Sequence, residues 1–228
     1  MALSSLKHWY RCKRWYEKAR KTPFAHLYRQ PLPSGRTPFR EQRFLVIDCE
    51  MSGLDPSKHQ LLSIAWVTVE NGSVIYHRRR HLLVHAESGV GESIKIHGLS
   101  EKNIAGAASV TRALSLLAEQ AENSVLVFHH ATLDIAFLQT SAIAAFGCPL
   151  LFPYIDTMAI EQRRLTRQGK TGGLQLGLCR QRYNLPPSLE HNALTDAIAT
   201  AELLLAQVAY ISSIDTASLG DVQRIAIS

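Results

Sequence analysis

Arg43-Phe44-Leu45-Val46-Ile47-Asp48-Cys49-Glu50-Met51-Ser52-Gly53-Leu54 is the stretch on which the fold turns. Phe44 to Ile47 form a short apolar run of the kind that makes a buried central strand, and the run ends at Asp48. Residues two apart on a strand point to the same face, so Asp48 and Glu50 can converge on one hard cation as the strand ends. The same pattern also occurs at strand ends where carboxylates merely face solvent.

Working outward, a second strand covers about Leu61 to Glu70. Asn71-Gly72 supplies the residues a tight hairpin turn requires, and a third strand returns over Val74 to Val84. Downstream, the pattern predicts a helix over Val110 to Ala121, a strand at Val125 to Phe128, a helix over Thr132 to Phe146 and a short strand near Tyr154-Ile155. Helices follow near Thr157 to Leu165, Leu174 to Tyr183 and Ala193 to Tyr210. Three antiparallel strands followed by two parallel ones, alternating with helices, make an α/β fold: a mixed five-stranded sheet flanked by helices. No internal repeat is present.

Upstream, residues 1–43 hold 11 Lys/Arg against Glu17 and Glu41, a balance of +9, while the remaining 185 residues balance at −3. A basic arm on a near-neutral body points to a polyanionic partner, or to a solvated tail. Trp9, Tyr10, Trp15 and Tyr16 interleave with the basic residues, and Pro31, Pro33, Gly35 and Pro38 follow, so a short helix and an extended linker are expected. The aromatics are expected to pack on the main domain or on a partner. The reading divides the chain into an arm at 1–43, a main domain at 44–210 and a short tail at 211–228.

No window approaches the ~18–20 continuous apolar residues of a membrane span. Cys12, Cys49, Cys148 and Cys179 show no CxxC spacing and suit a reducing compartment, so a cytoplasmic chain with no membrane contact is expected.

Two further carboxylates carry chemistry. Asp134 follows the buried run Val125 to Phe128 and sits among Ile135, Phe137 and Leu138, where an unpartnered carboxylate is costly and a metal is one remedy; stabilisation at a helix N-terminus is the other. His191-Asn192-Ala193-Leu194-Thr195-Asp196 opens the last helix, and Asp196 shares a small-residue face with Ala193, Ala197 and Thr200 that permits close approach to the sheet. His191, just ahead of the helix, can lean over a site that Asp196 lines or can simply sit on the surface.

The ordered set Asp48-x-Glu50, Asp134 and His191-x4-Asp196 resembles the DEDDh 3′-to-5′ exonucleases, the family of DNA polymerase III epsilon subunits, over roughly Phe44 to Gln207. Ile96-His97-Gly98-Leu99-Ser100 is similar to that family's His-Gly-Ile/Leu-Thr segment, and Asp156-Thr157-Met158 to its Asp-Thr-Leu segment. His129-His130 stands where His-Asn is common, Leu133 where an aromatic is common, and Met51-Ser52 where a Thr pair is frequent. The sister class needs a tyrosine where this chain has Asn192.

The resemblance implies a ribonuclease H-like fold and hydrolysis of single-stranded DNA at its 3′ ends by two ions, Mg²⁺ or Mn²⁺, on Asp48, Glu50, Asp134 and Asp196, with His191 as general base. It implies that Met51, Ser52, Gly53, Leu54, His97 and Leu99 hold the terminal nucleotide, with His129 packing or binding beside them. The Arg163, Arg164, Arg167, Lys170 run before Gly172-Gly173, and Arg78-Arg79-Arg80, read either as phosphate contacts or as solvated faces. An RNA trimmer or oligoribonuclease, which Glu50-Met51-Ser52-Gly53-Leu54 also resembles, is the rival substrate reading. A non-catalytic nucleic-acid-binding module is the rival of another class. The short tail favours a stand-alone nuclease, and the arm offers contact to a polymerase or another protein.

Overall fold

The computed structural model describes residues 3–85, 107–188, 192–222 and 226–228. The central strand β1, Arg43–Met51, pairs antiparallel with β2, Leu61–Glu70, and parallel with β4, Ser124–Phe128. Beyond β2 lies β3, Ser73–Leu83, and beyond β4 lies β5, Pro153–Asp156, so the sheet runs β3-β2-β1-β4-β5 and ends on a two-residue strand β6, Ala226–Ile227. The five expected strands are present in the expected senses, and β6, antiparallel to β5, is an addition too short to leave a periodic signature. Asn71 and Gly72 turn the β2–β3 hairpin with φ of 52° and 73°, the left-handed pair that matches strand twist.

Helices cover both faces because β1 alternates between two cores. Leu45 and Ile47 face the cluster containing Leu114 and Leu117 of α2, Val110–Ala121, and Phe137 and Leu138 of α3, Ala131–Phe146. Phe44 and Val46 face the cluster containing Leu204 and Val208 of α6, Ala193–Ile211. Ser109 caps α2 by accepting the Arg112 N–H, and Gly147 ends α3 at φ 70°. Between them run α4, Thr157–Arg167, and α5, Leu176–Gln181. A fully buried carboxylate ties these two together: Glu161 accepts from Arg164 at 2.6 Å, from the Tyr183 hydroxyl at 2.8 Å and from Arg182 at 3.2 Å.

Three expectations need correction. The arm is not an appendage. From the helix α1, Leu3–Ala19, and the segment after it, Cys12, Ala19, Phe24, Leu27 and Tyr28 enter the same core as Leu45 and Ile47, and the Tyr28 hydroxyl donates to the Pro149 carbonyl. Phe39 stacks on Phe44 at 4.6 Å. These apolar residues are scattered among prolines and charges with no single period, which hid their burial. Nor does packing stop at residue 210: Ala217 and the short helix α7, Leu219–Val222, close the second core. Last, α6 is long and apolar enough, by length and composition, to cross a membrane. Its alanines and leucines instead lie against β1 and β2, and it carries Asp196 and Glu202.

Candidate active site

The carboxylates meet where β1 outruns its neighbour. Pairing between β1 and β4 stops at Val46↔Val127, and β4 then turns into α3. Asp48 and Glu50, on the remaining end of β1, lie on the α6 side of the sheet, and Asp196 comes down from the first turn of α6. One carboxylate oxygen from each of Asp48, Glu50 and Asp196 lies within 4.8 Å of the others. The first turn of α6 is fixed by Asn192, whose side chain accepts the Thr195 N–H at 3.0 Å. Asp134 reaches in from the first turn of α3, and its Oδ1 accepts the Cys49 N–H at 3.0 Å, a donor that β4 no longer serves.

These four residues line a cleft of about 410 Å³, with Cys49, Met51, Gly53, Leu54, His129, His130 and Leu133 forming the rest of its wall. A larger cavity of about 620 Å³, between the start of β2 and helices α2 and α3, has no carboxylate among its described lining residues. Volume therefore does not locate the chemistry here; charge does.

Burial pushes the Asp48 carboxyl well above the ordinary carboxylate range, and the charges of Asp134, Asp196 and Glu50 push it further. Burial likewise pushes Asp134 up to about 7, against the opposing effect of the Cys49 hydrogen bond. Such a cluster resists full ionisation unless positive charge joins it. Oxygen-only donors in that state suit a hard divalent cation, so the residues present fit Mg²⁺ or Mn²⁺.

The mouth of the cleft is formed by the loop after β1. Leu54 is 78% exposed. Gly53 is pressed against the His59 ring so closely that a Cβ there would lie 2.4 Å from Cδ2. Ser52 does not line the cleft; its N–H donates to the Gln60 carbonyl and its hydroxyl accepts the Gln60 N–H, closing the loop. His129 lines the cleft, yet both ring nitrogens are engaged. Nε2 donates to the Leu174 carbonyl at 2.8 Å, and Nδ1 lies 2.8 Å from the Thr157 hydroxyl, which also reaches the Phe128 carbonyl at 3.1 Å. Its part is to tie β4 to α4 and to the segment before α5. His97, Leu99 and His191 lie outside the described residues.

Sequence reasoning noted Asp156 as part of a motif but missed its work. Its carboxylate accepts the N–H groups of His130 at 3.0 Å, Ala131 at 3.1 Å and Met158 at 2.9 Å, capping α3 and α4 at once. His130 accommodates this in the left-handed region, φ 69°. An aspartate directly ahead of a helical pattern was the available signal. His59 was also missed, and nothing local marks it. Among the basic runs, Arg163 donates to the Val222 carbonyl, Arg164 pairs with Glu161, Arg78 pairs with Glu70 and Arg79 donates to the Tyr76 carbonyl, so most of those charges are tied within the fold.

A mixed sheet with carboxylates gathered from the end of β1 and from the first turns of α3 and α6 defines a class of nucleases, and comparison with known proteins agrees. The exonuclease family (RNase_T) matches residues 45–204. The chain belongs to that exonuclease family, and within it to the DEDDh type. It is 27% identical over 188 residues to the DNA polymerase III PolC-type protein of Thermotoga petrophila, covering 82% of this chain and 13% of that one. It is 29% identical over 173 residues to the DNA polymerase III subunit epsilon-like protein of Rhodobacter capsulatus, covering 74% of this chain and 24% of that one. The chain thus spans a quarter or less of these curated relatives. Exonuclease I from Methylocaldum szegediense shares the fold with a TM-score of 0.58 at 15% identity, over 72% of this chain and 40% of that one. E. coli exonuclease I in its zinc-bound complex with single-stranded DNA gives 0.61 at 13% identity, over 75% and 41%.

Proposed function

We propose that this chain hydrolyses phosphodiester bonds at the 3′ end of single-stranded DNA in the cytoplasm, with two Mg²⁺ or Mn²⁺ ions held by Asp48, Glu50, Asp134 and Asp196. The observation that carries the reading is the convergence of Asp48, Glu50 and Asp196 within 4.8 Å, beside a buried Asp134. Cations bound there would supply positive charge to the scissile phosphate and acidify water near neutral pH. The chain's own residues do the rest. Met51, Gly53 and Leu54 present a side-chain and backbone wall to the terminal nucleotide, joined on the family pattern by His97 and Leu99. His191, next to the fixed N-cap Asn192, takes the proton from the attacking water, a task suited to an imidazole near neutral pH. Four free, buried cysteines are consistent with a reducing compartment.

The test is a 5′-labelled single strand, as DNA and as RNA, with purified protein and Mg²⁺, Mn²⁺ or chelator. The expected result is a metal-dependent ladder shortening from the 3′ end, faster on DNA, abolished by Asp48→Ala and slowed about 10²- to 10⁴-fold by His191→Ala. Faster RNA cleavage would move the substrate to RNA ends. Tight binding without cleavage would make the chain a binding module.

A further inference from the structure

Helix α1 buries one stripe, His8, Cys12 and Ala19, and leaves a second stripe uncovered. Leu6, Trp9, Tyr10 and Lys13 recur at i, i+3, i+4 and i+7, which places them on one face of the helix. Leu6, Trp9 and Tyr10 are 54%, 55% and 61% exposed. The Lys13 ammonium lies 5.1 Å from the Trp9 ring, and exposed Lys7 and Arg14 run alongside. Within α1 five cations face the single anion Glu17, a strong local imbalance on a body that is otherwise slightly acidic. Flat aromatic surfaces interleaved with lysine and arginine are complementary to a chain of bases on a phosphate backbone, because any base offers a π-face and every link a negative charge.

The arm, α1 included through Arg11 and Ser228, packs at the end of the sheet away from the cleft. The arm contacts Pro149, just past the C-terminal end of α3, through Tyr28, and Ala118 in the later part of α2 through His26, whereas Asp134 sits in the first turn of α3. Sixteen residues of α3 span about 24 Å, so a strand touching both places must be longer than a few nucleotides.

We propose that the Leu6-Trp9-Tyr10-Lys13 face of α1 is a second binding surface for single-stranded nucleic acid, holding the 5′-ward part of a long strand whose 3′ end occupies the cleft. This rests on the function proposed above for the substrate class. Its effect is on capture: the tethered 3′ end is held at a raised local concentration.

The experiment uses the full chain. Binding of a fluorescently labelled oligothymidylate of about 30 nucleotides is followed by anisotropy in chelator, and hydrolysis of the same strand and of a trinucleotide is followed with Mn²⁺. Trp9→Ala and Lys13→Glu, both at exposed positions, are each expected to weaken long-strand binding about five-fold or more, and Lys13→Glu also to reduce its salt dependence. Trinucleotide KM and kcat are expected to stay as in the wild type. Equal long-strand affinity in wild type and both variants would overturn the proposal, as would a variant-sensitive attachment to anionic vesicles or to a polymerase protein with no change for the oligonucleotide. Variant-sensitive binding without any hydrolysis would sink the proposed function and leave this surface standing. Hydrolysis with variant-insensitive binding would do the reverse.

Discussion

The Asp134 carboxylate takes the place of a missing strand: its Oδ1 accepts the Cys49 backbone N–H at 3.0 Å, three residues beyond the last β1–β4 pair. One side chain thereby closes the sheet ladder and lines the acidic cleft.

That double duty can be separated by mutation. Asp134→Asn keeps an oxygen for Cys49 and removes the charge, so nuclease activity is expected to fall at least about 10²-fold while the melting temperature in chelator is unchanged or higher. Asp134→Ala also strands a buried N–H, at a cost of about 1–3 kcal/mol, and is expected to melt lower than the asparagine variant. Equal melting of the two variants would show that the hydrogen bond contributes nothing.

Stability without metal is expected to depend on pH in a definite direction. The folded-state pKa of Asp48 is raised, and that of Asp134 reaches about 7, so the folded chain binds protons there that the unfolded chain, titrating near pH 4, releases. Stability in chelator from these groups is therefore full below about pH 4 and is lost as pH rises toward about 7. Burial lowers the pKa of His8, His81 and His129, which act in the opposite sense, so the informative quantity is the difference between wild type and Asp48→Asn. Thermal melts are expected to show the variant gaining on the wild type as pH rises, and Mn²⁺ stabilising the wild type more at about pH 8 than at about pH 5.5.

Gly53→Ala drives a methyl group into the His59 ring, and that ring also meets the Asp55 backbone through Nδ1 at 3.1 Å. The expected result is a several-fold rise in KM with a melting temperature within about 2 °C of wild type, because the clash is confined to a surface loop. In a His59→Ala background the same substitution is expected to cost much less. A double-mutant cycle with no coupling would show that the ring does not constrain the glycine.

Glu161→Ala leaves Arg164, Arg182 and the Tyr183 hydroxyl without their shared acceptor, and is expected to destabilise the fold by about 2–4 kcal/mol in urea melts. Burial raises the pKa of Glu161, but the hydrogen bonds from Arg164 and Tyr183 outweigh it and hold it below the usual range. The stabilisation is accordingly present above about pH 4.5 and lost as pH falls through the folded value, so wild type and variant converge in acid.

Strands β1 to β3 and the helices were legible because each carries its own period: a short apolar run for β1, the Asn71-Gly72 turn for the hairpin, and a small-residue face for α6. Asp48, Glu50, Asp134 and Asp196 were legible because order and flanking pattern survive in one dimension. What stayed hidden depends on contacts between distant segments. Phe24 and Tyr28 look like linker residues until the α3 end and Pro149 are beside them. The two hydrogen bonds of His129 require Thr157 and Leu174, which no spacing rule brings together. Ser52 reads as a nucleotide contact, and nothing in the spacing announces that its hydroxyl accepts the Gln60 N–H.

The Asp156 carboxylate receives the leading amides of α3 and α4 together, so neither helix can fray at its start without disturbing the other's anchor. In native-state hydrogen exchange the amides of Ala131 and Met158, far apart in the chain but held by one carboxylate, are expected to behave as a single opening unit. The α3 side of the cleft, with His130, Leu133 and Asp134, is therefore expected to loosen together with the start of α4.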